Sequence, residues 1–352
     1  MKLEQSFSNK QIAIWLLIGV GMTVIQIALG GITRLTGSGL SITEWNVITG
    51  TLPPMSEATW LEEFNKYKQT PQFALLNFDF TLANFKFIFF WEWFHRLWAR
   101  LIGLVFVVGF VYFIATRKFK PTMIRPLVIL FLLGALQGAV GWIMVKSGLT
   151  GDAVYVKPTR LAMHFILALG LLSYTFWFAL DLLIEPVNRI ANKKWWNINT
   201  ILLILLSLQL IYGALMAGHK AANAAATWPT INGDWLPGSL FKDQPLLLNF
   251  IDNTILIHFI HRGLAYLILA IVIYWSVQLF SFNGTLLFNK LRKWPLIITS
   301  VQVLLGIITV LSSVGIKAGN WGTFEWMAQL HQLTGMLLLL SLVLTRYLIK
   351  KL

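Results

Sequence analysis

The chain has 352 residues, of which 57% are hydrophobic and 12% charged, with a mean hydropathy of +0.70. An ordinary soluble domain carries about 25% charged residues, so a disordered protein, a soluble enzyme of the usual kind and a nucleic-acid-binding domain are excluded. The net charge of +14 does not restore the last of these, because the basic residues form short clusters between long apolar runs, the pattern of a polytopic membrane protein. With no cysteine, disulfides, thiolate nucleophiles, iron–sulfur clusters and Cys-ligated zinc are excluded as well.

A spanning helix needs about 20 mostly apolar residues. The first such run, near 11–32, leads into Gly30-Gly31 and Arg34 rather than a small-residue cleavage site, so no cleavable leader is expected. A long loop, about 33–87, follows. Within it Ser56 is placed to cap a short helix carrying Trp60, Phe64 and Tyr67 on one face, with Pro71 as its expected end. This amphipathic helix either rests on the membrane interface or forms a lid over a site in the outer leaflet. The second run, 88–115, holds Glu92, His95, Arg96 and Arg100. The third, 126–146, holds Gln137 and Gly141, and the fourth, 159–183, holds His164. After a basic loop at 184–196 come runs at 197–218, 253–280 (His258, His261, Arg262), 295–315 (Gln302, Gly306) and 326–348 (His331). The fold class expected is all-α, with eight transmembrane helices.

Basic residues orient the runs. Fifteen, from Lys2 and Lys10 through Arg117, Lys118, Arg189 and Lys290 to Arg346, Lys350 and Lys351, fall on one side in short clusters. Ten fall on the other, in longer loops mixed with acids. Both termini are therefore expected in the cytoplasm and the long loops outside.

The chain repeats itself. Glu92-Trp-Phe-His95-Arg96 resembles His258-Phe-Ile-His261-Arg262. Gln137-x-x-x-Gly141 resembles Gln302-x-x-x-Gly306, and His164 matches His331. The offsets are 166, 165 and 167. Near-constant offsets argue for a duplicated four-helix unit: an N-terminal half, 1–190, and a C-terminal half, 191–352. An even number of helices per half implies two bundles related by an axis near the membrane normal.

Ionisable residues at membrane depth are costly and are functional candidates. His95, His164, His261 and His331 each lie within about two turns of the start of an even-numbered run. Two histidines on two helices of one bundle suit a flat metal macrocycle, since haem iron accepts paired imidazoles. The alternatives are interhelical hydrogen bonding and a proton relay; zinc is poorly served by two ligands per half. Gly103, Gly141, Gly170, Gly306 and Gly335 either give room to such a ring or mark close helix contacts. The halves differ at one place: Glu92 stands where the second half has His258. Glu92 shares a helix face with His95 at i+3 and is also placed to pair with Arg96 at i+4. Arg34, Arg96, Arg100 and Arg262 lie near the outer side, either as contacts for haem propionates or snorkelling to the interface.

Several stretches resemble the haem A synthase family, that of CtaA and Cox15, and specifically its mitochondrial-type branch. They are Gly30-Gly-Ile-Thr-Arg-Leu-Thr-Gly-Ser-Gly-Leu-Ser-Ile-Thr-Glu-Trp45, Tyr67-Lys-Gln-Thr-Pro71, Phe85 to Arg96, Arg160-Leu-Ala-Met-His164, Thr227-Trp-Pro229, Gly233-Asp-Trp-Leu-Pro237, Ile260-His-Arg262 and Leu330-His-Gln332. The resemblance implies a cofactor haem b held by His261 and His331, substrate haem O at His95 and His164, and Glu92 as the acidic catalytic residue. The implied reaction converts the C8 methyl of haem O to a formyl group by two oxidations, in the inner membrane of a bacterium, for cytochrome c oxidase assembly. It leaves open the electron acceptor, the oxygen source, the oligomeric state and any contact with haem O synthase. Some members carry cysteine pairs in outer loops; this chain has none, so a thiol step is not available to it. The competing readings are a quinone-linked di-haem b-type electron carrier, which would tolerate two equivalent sites where Glu92 breaks the symmetry, and a non-enzymatic transporter or haem-delivery protein.

Overall fold

The computed structural model describes residues 2–46, 49–317 and 319–350, without the side chains of residues 2–7 and 49. Lys351, counted above with the inner basic set, lies outside the described residues. Twelve helices are found among them: α1 (Lys2–Leu35), α2 (Glu57–Lys68), α3 (Pro71–Leu76), α4 (Leu82–Ala115), α5 (Pro121–Lys146), α6 (Pro158–Leu183), α7 (Lys193–Gly218), α8 (Asn249–Asp252), α9 (Thr254–Phe280), α10 (Leu286–Leu291), α11 (Trp294–Ser312) and α12 (Thr323–Leu348). Among the described residues eight segments are long and apolar enough to cross a membrane. They are α1, α4, α5, α6, α7, α9, the stretch from α10 through α11, and α12. Exposed Leu104, Val108, Leu132, Val277 and Leu304 give these helices an apolar outer surface, as lipid demands, while the helical backbone satisfies its own polar groups. The protein is a multi-pass membrane protein.

By contacts the chain divides into two compact units, Gly21–Ala168 and Met1–Val20 with Leu169–Leu352. This is a different division from the halves at 190, which rest on sequence offsets.

In Gly21–Ala168, α1 stops where the sequence provides a left-handed residue. Gly37 has φ 69°, a conformation that only glycine adopts without strain. The turn closes with Gly37 N–H donating to Arg34 and Ser38 N–H to Thr33, and Thr36 and Ser38 join their hydroxyls at 2.6 Å. Ser56 caps α2 as expected, in a reciprocal box with Thr59. The apolar face of α2 is not turned to lipid alone. Phe64 and Tyr67 pack with Phe85, Ile88 and Phe89 of α4, Phe64 stacking on Phe85 at 5.0 Å between ring centroids. That contact explains why α4 begins at Leu82, ahead of the apolar run at 88: its first turns, capped by Thr81, form the other side of an aromatic cluster. The Tyr67 hydroxyl donates to Gln72 Oε1 and accepts from Asn77 Nδ2, and burial pushes it up to about 12, so it stays a donor at neutral pH.

Pro71 does not end α2. That helix closes at Lys68, and Pro71 is the first residue of α3, capped by Thr70. A proline at the first helical position forgoes no hydrogen bond and presets φ, so the residue that reads as a stop is a start.

In the other unit, the loop after α6 forms a two-residue strand β1 (Ile190–Ala191), parallel to β2 (Ile349–Lys350), which follows α12 directly. Around it, Arg189 donates to the Tyr347 carbonyl at 2.9 Å, Arg346 to that of Trp196 at 2.9 Å, and the Tyr347 hydroxyl to Asp181 at 3.0 Å.

Candidate functional site

Each of the four histidines packs against a glycine on the spanning helix before it. An added Cβ would lie 2.8 Å from His164 Cε1 at Gly141, 2.9 Å from His331 Cε1 at Gly306, 3.3 Å from His261 Cε1 at Gly213 and 3.6 Å from His95 Cε1 at Gly30. Gly141 and Gly306 therefore make room for an imidazole. Gly103 and Gly170 face nothing within 4 Å, and Gly335 faces the Gln302 amide at 3.1 Å. Gly306→Ala is expected to force His331 aside at about 1–3 kcal/mol, the usual cost of overpacking, and to alter the spectrum of any metal group bound there. Gly103→Ala should change neither stability nor spectrum. Equal behaviour of the two variants would refute this packing role.

One turn before each of these glycines stands a glutamine: Gln26, Gln137, Gln209 and Gln302. The sequence reading found the Gln-x-x-x-Gly pattern in the third and seventh runs but missed Gln26-x-x-x-Gly30 and Gln209-x-x-x-Gly213. The 183-residue offset of that pair differs from 166 because the loop after the first run is longer. A search for the motif itself would have found all four.

Glu92 is 2% exposed and both its oxygens are engaged. Oε2 accepts from Ser41 N–H at 2.7 Å, the Ser41 hydroxyl at 2.8 Å and Ile42 N–H at 3.0 Å; Oε1 accepts from Arg96 at 2.6 Å. Arg96 also donates to the carbonyls of Ile42 and Glu44. The carboxylate thus fastens the segment after Gly37 onto α4 and is covered by it, instead of lying open beside His95.

His258 occupies the matching place. Its Nε2–H donates to the Ala221 carbonyl at 2.7 Å, and its Nδ1 accepts from Arg262 at 3.3 Å. Arg262 donates to the carbonyls of Ala225, Thr227 and Thr230. Both ring nitrogens are used and the side chain is fully buried, so His258 is a loop brace and has no lone pair for a metal. His219 is another loop contact, donating to the Ile251 carbonyl at 2.7 Å. Of the four arginines, Arg96, Arg100 and Arg262 hold loop carbonyls, and Arg34 sits in the last turn of α1.

His95, His164, His261 and His331 are different, since each keeps part of its surface open. His261 and His331 face each other with ring centroids 6.3 Å apart. With a metal–imidazole bond of about 2 Å and ~1.2 Å from nitrogen to ring centre, two imidazoles binding opposite sides of one ion would lie about 6.4 Å apart. His331 Nδ1 lies 3.1 Å from the Gln302 carbonyl. A carbonyl only accepts, so Nδ1 carries the proton and Nε2 keeps its lone pair. The residues present fit a planar metal macrocycle held by two histidines. His95 and His164 lie in the same unit, Gly21–Ala168.

These features define a polytopic helical membrane protein with four histidines seated against glycines, two of them facing each other, and with loops held by a carboxylate in one unit and an imidazole in the other. Residues 13–343 match the family COX15-CtaA, described as cytochrome oxidase assembly protein, and the chain belongs to that family. It is similar to the haem A synthase of Paracoccus denitrificans, 42% identical over 316 residues, covering 85% of this chain and 80% of the relative. It is similar also to the haem A synthases of Flavobacterium psychrophilum, 38% identical over 342 residues (96% and 98% covered), and Novosphingobium aromaticivorans, 42% identical over 339 residues (93% and 91% covered).

Proposed function

We propose that the protein is a haem A synthase, an oxidoreductase that converts the C8 methyl of haem O to a formyl group by two successive oxidations. The observation that carries the reading is a repeat with one change: Gln-x-x-x-Gly against His recurs in both parts of the chain, but Glu92 stands at one brace and His258 at the other. Substrate haem O is assigned to His95 and His164 in half 1–190, and a cofactor haem b to His261 and His331 in half 191–352. A b-type haem supplies one-electron transfer when bound. Glu92, one turn from His95, sets a carboxylate paired with Arg96 near the substrate side and holds the covering segment Ser38–Ile42 in place. Arg34, Arg96, Arg100 and Arg262 remain candidates for propionate contacts, three of them through a change of partner from loop carbonyl to carboxylate. The test is expression in cells that make haem O but lack haem A. Haem A in the membrane extract is the expected result; haem O alone would overturn the assignment.

The location that goes with this reading is a bacterial inner membrane; the two-sided charge pattern supports an orientation with both termini in the cytoplasm and the α1–α4 and α7–α9 connections outside. Reporter fusions after Lys118 and after Lys242 should read opposite sides. The same side for both would sink the orientation.

A further inference from the structure

We propose that Gln209 and Gln302 are positioning residues, fixing the orientation and electronic character of the imidazoles of His261 and His331; this rests on the reading of those histidines as haem ligands. Each glutamine lies four residues before the glycine that admits its histidine, and residues at i and i+4 share a helix face. Gln209 Nε2 is 3.3 Å from His261 Nε2, and Gln302 Nε2 is 3.4 Å from His331 Nε2. The main-chain carbonyl of Gln302 also takes the His331 Nδ1 proton, so one residue touches both nitrogens of that ring.

The amide oxygens add a second observation. Oε1 of Gln26, Gln137, Gln209 and Gln302 is in every case buried without a hydrogen-bond partner, and so is Nδ1 of His261. A buried polar atom left unpaired costs about 1–3 kcal/mol. Four at matched positions mark a feature of the design. Gln209 and His261, already in contact, thus carry a spare acceptor and a spare ring nitrogen on the same pair of side chains. In the other unit Gln137 Nε2 likewise lies against its histidine ring, 3.2 Å from His164 Nδ1 and 3.3 Å from Nε2, and also donates to the His164 carbonyl at 3.1 Å, while Gln26 donates to the main-chain carbonyl of His95 at 3.2 Å.

A ligating imidazole takes its tautomer, ring angle and basicity from the group bonded to its other nitrogen. For His331 that group is the Gln302 main-chain carbonyl on Nδ1, while the Gln302 side-chain amide faces Nε2 and sets the ring's angle before a metal takes that lone pair. Hydrogen bonding around a ligand tunes a haem's potential. A neutral amide does this at membrane depth without the desolvation cost of a charge.

The test uses the purified full chain with Gln209→Met, Gln302→Met and both. Methionine keeps the length and removes the side-chain amide contacts, leaving the main-chain carbonyl of residue 302 on His331 Nδ1. Haem per protein, the low-spin electron paramagnetic resonance signal and the midpoint potential are measured. The expected result is retained haem, a changed resonance signal and a shift of about tenfold in the reduction equilibrium, 59 mV for one electron. Unchanged signal and potential in the double variant would overturn the proposal. Failure of both single variants to accumulate as folded protein would overturn it too, assigning the glutamines to helix packing. His261→Ala and His331→Ala are prepared alongside; full haem in those two would instead remove the ligand assignment on which the proposal stands.

Discussion

Glu92→Gln is expected to lower haem A output by about 10²–10⁴-fold, the range for a lost acid–base or charged catalytic group, at matched protein level and with haem still bound. The substitution keeps size and shape. It removes the charge and turns one acceptor into a donor. Every partner of Glu92 is itself a donor: Ser41 N–H and hydroxyl, Ile42 N–H and the Arg96 guanidinium. An amide –NH₂ must therefore face a donor whichever way it is turned, and the cover formed by Ser38–Ile42 loosens. If only the second oxidation needs the charge, the hydroxymethyl haem accumulates, which haem extraction detects directly. Near-normal haem A from this variant would eliminate the catalytic role and leave Glu92 as a fastener of the loop.

His261→Ala and His331→Ala are each expected to remove the tightly held b-type haem, lowering Soret absorbance per protein at least about tenfold. A ligand present at a hundred times its Kd contributes about 2.7 kcal/mol to stability, and an emptied pocket leaves apolar walls without contacts, so the melting temperature should fall as well. His258→Ala separates ligation from proximity. It lies one turn from His261, but both its nitrogens serve the 221–230 loop and the arginine that braces it, so its loss should spare the Soret band. Full absorbance in the His261 or His331 variant would refute the assignment.

The eight spans were legible because lipid leaves the backbone no alternative to helix and the apolar runs have the length a bilayer requires. The extra turns of α4 were not, since Leu82–Phe87 are ordered by Phe64 and Tyr67 on α2, a tertiary contact that no local periodicity encodes. Pro71 misled for a local reason: a proline punctuates either end of a helix, and only the Thr70 cap decides which. The histidine pairing was visible in the offsets, yet the partner of His95 in the first span was not, because the glutamine–glycine motif there is separated from its histidine by the longest loop. Glu92 and His258 stood out by position. The Glu92–Arg96 pair was legible from its i+4 spacing; the loop contacts of both residues were hidden, because Ser41 and Ala221 are loop groups brought in by folding.

The short pairing of β1 with β2 has a consequence for biogenesis. Ile190 emerges from the ribosome long before Ile349, its partner. Until then Arg189 lacks the Tyr347 carbonyl and Asp181 lacks the Tyr347 hydroxyl. Helices α7 to α11 thus enter the bilayer with the segment that precedes them untethered, and α12 arrives as the latch. A chain cut before Arg346 would insert all the earlier helices and yet leave this seam open to protease from the side on which it lies, whereas the full chain would resist.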